Sequence, residues 1–200
     1  MDTSLISNEC MNIFLSQAKA RSDENQSAFE LLMDQKLYGV AIGLLRQELD
    51  TLVRLSYLYL PETPLQTAMS LMQMSVDGKQ WTKVNHNGKE VKITDRNMLD
   101  LSGHLGGWEN VIYKFGCKLI HLSDYHLYMT RDPFDSVGVE EKQEIIGYLS
   151  FYHKYPDQTI TFEALIEYLP KVMEKLNRNV NFYIEEIPMM MCEEIKKQNG

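Results

Sequence analysis

LYGVAIGLLRQELDTLVRLSYLYL, residues 37–60, is the stretch that decides the fold. Its apolar residues recur at three- and four-residue steps over about six turns, the period of a helix with a broad core-facing side. Pro61 and Pro64 close it, and Pro64 stands where prolines open a helix, here one running to Met74. On the N-terminal side, Leu5–Ala20 is compatible with a helix, and the polar patch ARSDENQS (20–27) is expected to interrupt before the next helical segment.

On the C-terminal side the period changes. KQWTKV, NHNG and KEVKIT (79–94) read as an inserted β-hairpin with Gly88 at the turn position that needs a positive φ. Asp95 is a candidate cap for a short helix over Arg96–Leu101, and Gly103, Gly106 and Gly107 break the chain after it. WENVIYKFGCKLIHLSDYHLY (108–128) reads as one long helix. Trp108, Ile112, Phe115, Leu119 and Leu122 form its apolar stripe, with His126 next on that stripe, while His121 falls beside Cys117, Asp124 and Tyr125. His126 is thus expected to be buried and His121 available.

RDPFDSVG and KYPDQ are loops by composition. Between them Val139–His153 is a helix with Ile145, Ile146, Leu149 and Tyr152 on one face. Thr161–Ile187 is helical again, kinked or split at Pro170 and ended by Pro188, so that 188–200 reads as a frayed tail. The expected architecture is mainly α: a single helical-bundle domain over 1–200, with four or five principal helices and the hairpin inserted at 79–94.

Composition narrows the classes. The net charge of −8 opposes nucleic acid and anionic membranes over the molecule as a whole, which disfavours sequence-specific DNA binding. Cys10, Cys117 and Cys192 are widely spaced and odd in number, so no disulfide framework is implied. MDTSLISNEC lacks a basic region followed by an apolar core, and no apolar run reaches the length of a membrane span; the expectation is a cytoplasmic protein with no membrane partner. GxxxxGK[ST], GxGxxG and GxSxG are absent, which removes P-loop, dinucleotide-binding and α/β-hydrolase chemistry and implies no cofactor.

Four sets of residues carry candidate chemistry. Arg46, Asp50 and Arg54 lie four apart on one helix, either as a ladder of ion pairs or with Arg46 turned into a cleft to hold a phosphate or carboxylate. His121 suits general acid/base work, with Asp124 or Tyr125 as its hydrogen-bond partner and Arg46 to stabilise developing charge on phosphorus; a surface histidine bonded to those neighbours is the plainer alternative. A metal site would need His121 and Asp124 joined by His104 or His153, and His121 and His126, five apart, diverge around a helix, so no metal is assigned. Cys117, four before His121, has Lys114 and Lys118 nearby, but mid-helix cysteines are commonly inert packing residues. The hairpin is locally basic, with Lys79, Lys83, Lys89, Lys92 and Arg96. Together with the Trp81 ring these are candidate RNA or anion contacts, or else an edge guard and a packing anchor.

Two segments resemble a family. LLRQELD (44–50) resembles the arginine-bearing core helix of uncharacterised bacterial proteins with the HEPN-like helical fold. YKFGCKLIH (113–121) resembles a later helix of the same proteins, where an aromatic and a small residue precede a histidine. The resemblance implies a helical bundle, a homodimer and a place among bacterial toxin and defence systems. Active members cleave RNA without a metal, pairing arginine and histidine so that the ribose 2′-OH attacks its own phosphate. Their signature places four to six residues between an arginine and a histidine on one helix. Here the residue six before His121 is Phe115, the one seven before is Lys114, and Gly103 separates Arg96 from His104. The expected role is therefore a non-catalytic interaction or ligand-binding module with a homodimer or protein partner. The alternative is a metal-independent endoribonuclease using His121 and Arg46.

Overall fold

The computed structural model describes residues 3–199. Met1, Asp2 and Gly200, the ends of the expected domain and tail, lie outside the described residues. The chain is mainly helical: α1 (Thr3–Asp34), α2 (Tyr38–Tyr59), α3 (Leu65–Val76), a hairpin of β1 (Thr82–Val84) and β2 (Glu90–Lys92), α4 (Asp95–Asp100), α5 (Trp108–Ile120), α6 (Val139–His153), α7 (Phe162–Ile166) and α8 (Leu169–Asn199). Six of these helices run for twelve residues or more, one beyond the expected range. Among the described residues no helix is long and apolar enough to cross a membrane.

The chain divides into two compact units, and α1, α2 and α8 each contribute a segment to both. The first unit comprises the chain up to Asp23, Asp50–His104, and the part from Arg178 on. Its core gathers Phe14 of α1, Leu52, Leu55 and Leu58 of α2, Leu71 and Met72 of α3, and Trp81 at the root of the hairpin. The hairpin is antiparallel, pairing Thr82 with Lys92, Lys83 with Val91 and Val84 with Glu90. Gly88 takes the positive φ its turn requires, at 73°. The cap of α4 is Thr94 rather than Asp95: its side chain accepts from the Asn97 N–H while Asn97 bonds back, a reciprocal capping box.

The second unit comprises Glu24–Leu49 and Leu105–Asn177. Here the polar patch does not interrupt α1. Asn25 is buried and donates to the buried Glu48 carboxylate at 2.8 Å, so its polarity serves packing between α1 and α2 rather than a break. The expected long helix over 108–128 stops at Ile120. His121 caps it in extended conformation, and a new 3₁₀ turn over Asp124–Leu127 starts from Ser123. Ser123 supplies the reason: its hydroxyl donates to the Lys118 carbonyl and accepts from the Tyr125 N–H, satisfying the end of one helix and the start of the next. The stripe is rotated by this break. Leu122 is 97% exposed, His126 is exposed rather than buried, and Tyr125 turns inward instead.

At the C-terminal end, Pro170 falls in the first turn of α8, where its missing N–H costs nothing, and α7 stands apart from α8. Pro188 does not end the helix, which runs on to Asn199 through most of the segment read as a frayed tail. Val180, Tyr183, Ile187 and Met191 are buried at three- and four-residue steps across the proline, and that packing outweighs the one lost backbone hydrogen bond.

Candidate functional site

The two segments that carry the family resemblance meet within the second unit. Arg46 of α2 packs on Gly116 of α5, where a Cβ would lie 2.9 Å from the Arg46 Cβ. The absent side chain lets the helices approach, and the Arg46 guanidinium then runs back along α5 to lie over the Tyr113 ring, 4.2 Å from its centroid. Arg46 is 6% exposed, and Glu109, one turn before Tyr113 on α5, is fully buried. Of the two readings of Arg46, a rung of an ion-pair ladder or a side chain turned into a cleft, neither describes its place: it is held inside the unit.

His121 lies elsewhere. It is exposed at the C-terminal end of α5, eight residues beyond Tyr113, which is about 12 Å along a helix axis. The Arg46 side chain extends toward the N-terminal half of that helix, so the two expected partners are not brought together. Asp124 is exposed at the start of the 3₁₀ turn. Tyr125 is buried, packs edge-on against Phe115, and accepts a 3.0 Å hydrogen bond from Lys118. Lys118 also reaches Glu141 of α6 at 2.7 Å; burial disfavours its charge, but Glu141 and Tyr125 together hold its pKa above the ordinary lysine value. Tyr125 thus belongs to a structural network rather than to His121.

Asp50 and Arg54 lie in the first unit and make one rung of the expected ladder, with the Arg54 Nε at 3.1 Å from Asp50. Arg21 of α1 supplies a second cation at 3.0 Å, a partner the sequence spacing did not reveal. Burial pushes the Asp50 carboxyl up, but the two arginines outweigh it and hold its pKa below the usual carboxylate value. Trp81 is 1% exposed, donates to the Ser75 hydroxyl at 2.7 Å and packs between Phe14 and Tyr57. Its ring face is closed to a nucleobase, so of the two sequence readings it takes that of packing anchor. Lys83, Lys89, Lys92 and Arg96 are exposed, with Arg96 paired to Asp100 at 2.8 Å, and Lys79 reaches Asp77 at 2.8 Å.

The candidate metal ligands do not converge. His104 bonds Tyr183 at 3.1 Å within the first unit, and burial, then the Tyr59 hydroxyl, push Tyr183 up to about 12. His153 is half-buried in the second unit. Among the described residues no group of three His, Cys, Asp or Glu side chains could hold a metal ion.

What the second unit does hold is an apolar cavity of about 80 Å³ among α2, α5, α6, α7 and the start of α8. Ile42, Leu45, Ile112, Phe115, Leu165 and Val172 form much of its wall. Tyr148 and Tyr152, one turn apart on α6, line both this cavity and an outer trough of about 490 Å³ that continues past Phe151. The tyrosines are seated by the Gly106–Gly107 pair, whose φ values of 102° and 87° exclude most side chains. A side chain at Gly107 would collide with the Tyr148 hydroxyl. Lys175 closes one side, its ammonium over the Tyr152 ring and 4.5 Å from the Trp108 ring. His153 also lines the cavity, and burial, then Lys175 and Lys171, hold its pKa below the ordinary imidazole value. Sequence reading placed Tyr152 on the apolar face of α6 but missed Tyr148 and Lys175; the signal was the i,i+4 tyrosine pair opposite two consecutive glycines.

Comparison with protein-family models, with curated proteins and with solved structures gives no match.

Proposed function

We propose that the protein is a HEPN-like, non-catalytic binding module whose second unit receives a short apolar group of a small ligand. The carrying observation is the cavity itself, almost wholly apolar, with Tyr148 and Tyr152 lining both it and an open trough beside it. Its volume is about half that of a cavity known to admit benzene, roughly 150 Å³. An alkyl chain of a few carbons therefore fits inside, with the remainder of the ligand lying in the trough. The HEPN-like part of the reading is supported by the close packing of Arg46 on Gly116, which joins the two resembling segments.

Hexanamide, a short chain on a neutral head, is a suitable test compound. At ten times its Kd it should raise the melting temperature by about 3 °C, the size expected from mass action for a chain of this length. Val172→Phe, which fills the cavity from a half-buried position, should abolish that shift. An equal shift in the variant, or no saturable shift in the wild type, sinks the proposal.

The endoribonuclease reading keeps one point in its favour: Arg46 packs on the helix that His121 terminates. It needs the guanidinium to leave the Tyr113 ring and reach a phosphate near His121. Incubation with pooled RNA in EDTA is expected to give no cleavage; cleavage lost in both His121→Ala and Arg46→Lys would replace the binding-module reading with this one.

A further inference from the structure

A second pocket, of about 330 Å³, lies in the first unit between α1, α2, the end of α3 and the root of the hairpin. Its wall carries three cationic side chains from three separate parts of the chain: Arg21 of α1, Arg54 of α2 and Lys79 before β1. One carboxylate, Asp50, lines it with them. Phe14, Leu55 and Trp81 give it an apolar floor, and Gln17, Thr51, Ser75 and Gln80 add neutral polar groups. A cationic pocket in a protein of net charge −8 runs against the composition, so it is a local feature of the fold rather than a reflection of overall charge.

The arrangement fixes the arginines without exhausting them. Asp50 takes the Nε of Arg54 at 3.1 Å and one Nη of Arg21 at 3.0 Å. Arg54 is further held by the Trp81 ring, 5.1 Å from its guanidinium carbon. Each guanidinium has five N–H donors in a rigid fork, so one carboxylate can orient both forks and leave donors on each for a second anion. Lys79 stands at the rim, its ammonium 2.8 Å from Asp77 and its side chain 67% exposed, able to swing over an occupant. Three cations against Asp50 and, at the rim, Asp77 leave one net positive charge around the pocket, and the planar forks of Arg21 and Arg54 suit the several acceptor oxygens of a phosphate monoester.

We propose that this pocket binds a small phosphate monoester, with the phosphate between Arg21, Arg54 and Lys79 and the organic part over Phe14, Leu55 and the edge of Trp81. The volume sits at the lower end of the range for small-molecule sites, large enough for a phosphate with one ring. The proposal is independent of the apolar cavity of the second unit and stands or falls without it.

Titration calorimetry with phenyl phosphate, using inorganic phosphate as the comparison, tests it directly. Phenyl phosphate should bind saturably to the full chain, and inorganic phosphate about tenfold more weakly for want of contact with the floor. Arg21→Gln and Lys79→Gln, both at partly or largely exposed side chains, should each weaken phenyl phosphate by about tenfold, the worth of one charge-assisted contact, while melting stays within a degree or two of wild type. Unchanged affinity in Lys79→Gln, equal affinity for the two anions, or no saturable binding below about 10 mM overturns the assignment. Because Lys79 has no role in the core, its variant keeps the test decisive even if Arg21→Gln unfolds the chain.

Discussion

Arg46 is the residue on which the functional reading turns. An arginine 6% exposed, with its guanidinium seated on an aromatic ring, is a packing element as much as a charge. Arg46→Ala should destabilise the chain by about 3 kcal/mol, since it opens a void beside Tyr113 and removes the cation from its ring. Gly116→Ala should cost about 2 kcal/mol, because its methyl would press on the Arg46 Cβ rather than on a flexible tip. Urea unfolding curves check both, and a loss below about 0.5 kcal/mol in each would mean the contact is slack. The sequence placed Arg46 among apolar neighbours on α2, but a helical wheel cannot say which ring lies opposite. Tyr113 and Gly116 acquire their meaning only when α2 and α5 are packed.

At the scale of elements, what could be read in advance followed from period. The apolar repeat of α2, the boundaries of α6 and the pairing of the hairpin are all set by local pattern and turn chemistry, and they lie close to the sequence reading. The break after Ile120 carries no glycine or proline; its signal is the Ser123–Asp124 pair, which starts a new turn while Ser123 ties off the old one. The continuity of α1 through ARSDENQS and of α8 through Pro188 depended on tertiary partners, Asn25 with Glu48 in one case and a buried stripe in the other. The cavity needs five elements at once and has no sequence signature.

One element-scale consequence is a pH dependence on α6. The folded chain holds His153 below the ordinary imidazole value of 6.5, so on acidification the unfolded chain takes up that proton first. The stability contributed by the neutral ring is complete above about pH 6.5 and declines as the pH falls through the lower folded value. His153→Phe should flatten the melting-temperature profile between about pH 6.5 and 5. An unchanged profile would show that His153 ionises as freely folded as unfolded.

For the whole molecule, charge and composition constrain partners without selecting one. The net charge of −8 works against tight RNA binding, while each unit carries a space of distinct chemistry, apolar in one and cationic in the other. The homodimer that the family resemblance implies belongs to the same HEPN-like reading, and sedimentation of the purified chain bears on it separately from any ligand. The most direct measurement of the binding-module reading is an amide ¹⁵N–¹H correlation spectrum recorded under xenon pressure, since xenon enters apolar cavities without needing a polar partner. The predicted result is saturable shifts confined to the cavity walls, at amides such as Ile112, Gly116, Leu149 and Val172, and their loss in Val172→Phe. Shifts absent from those walls, or undiminished in the filled variant, would contradict it.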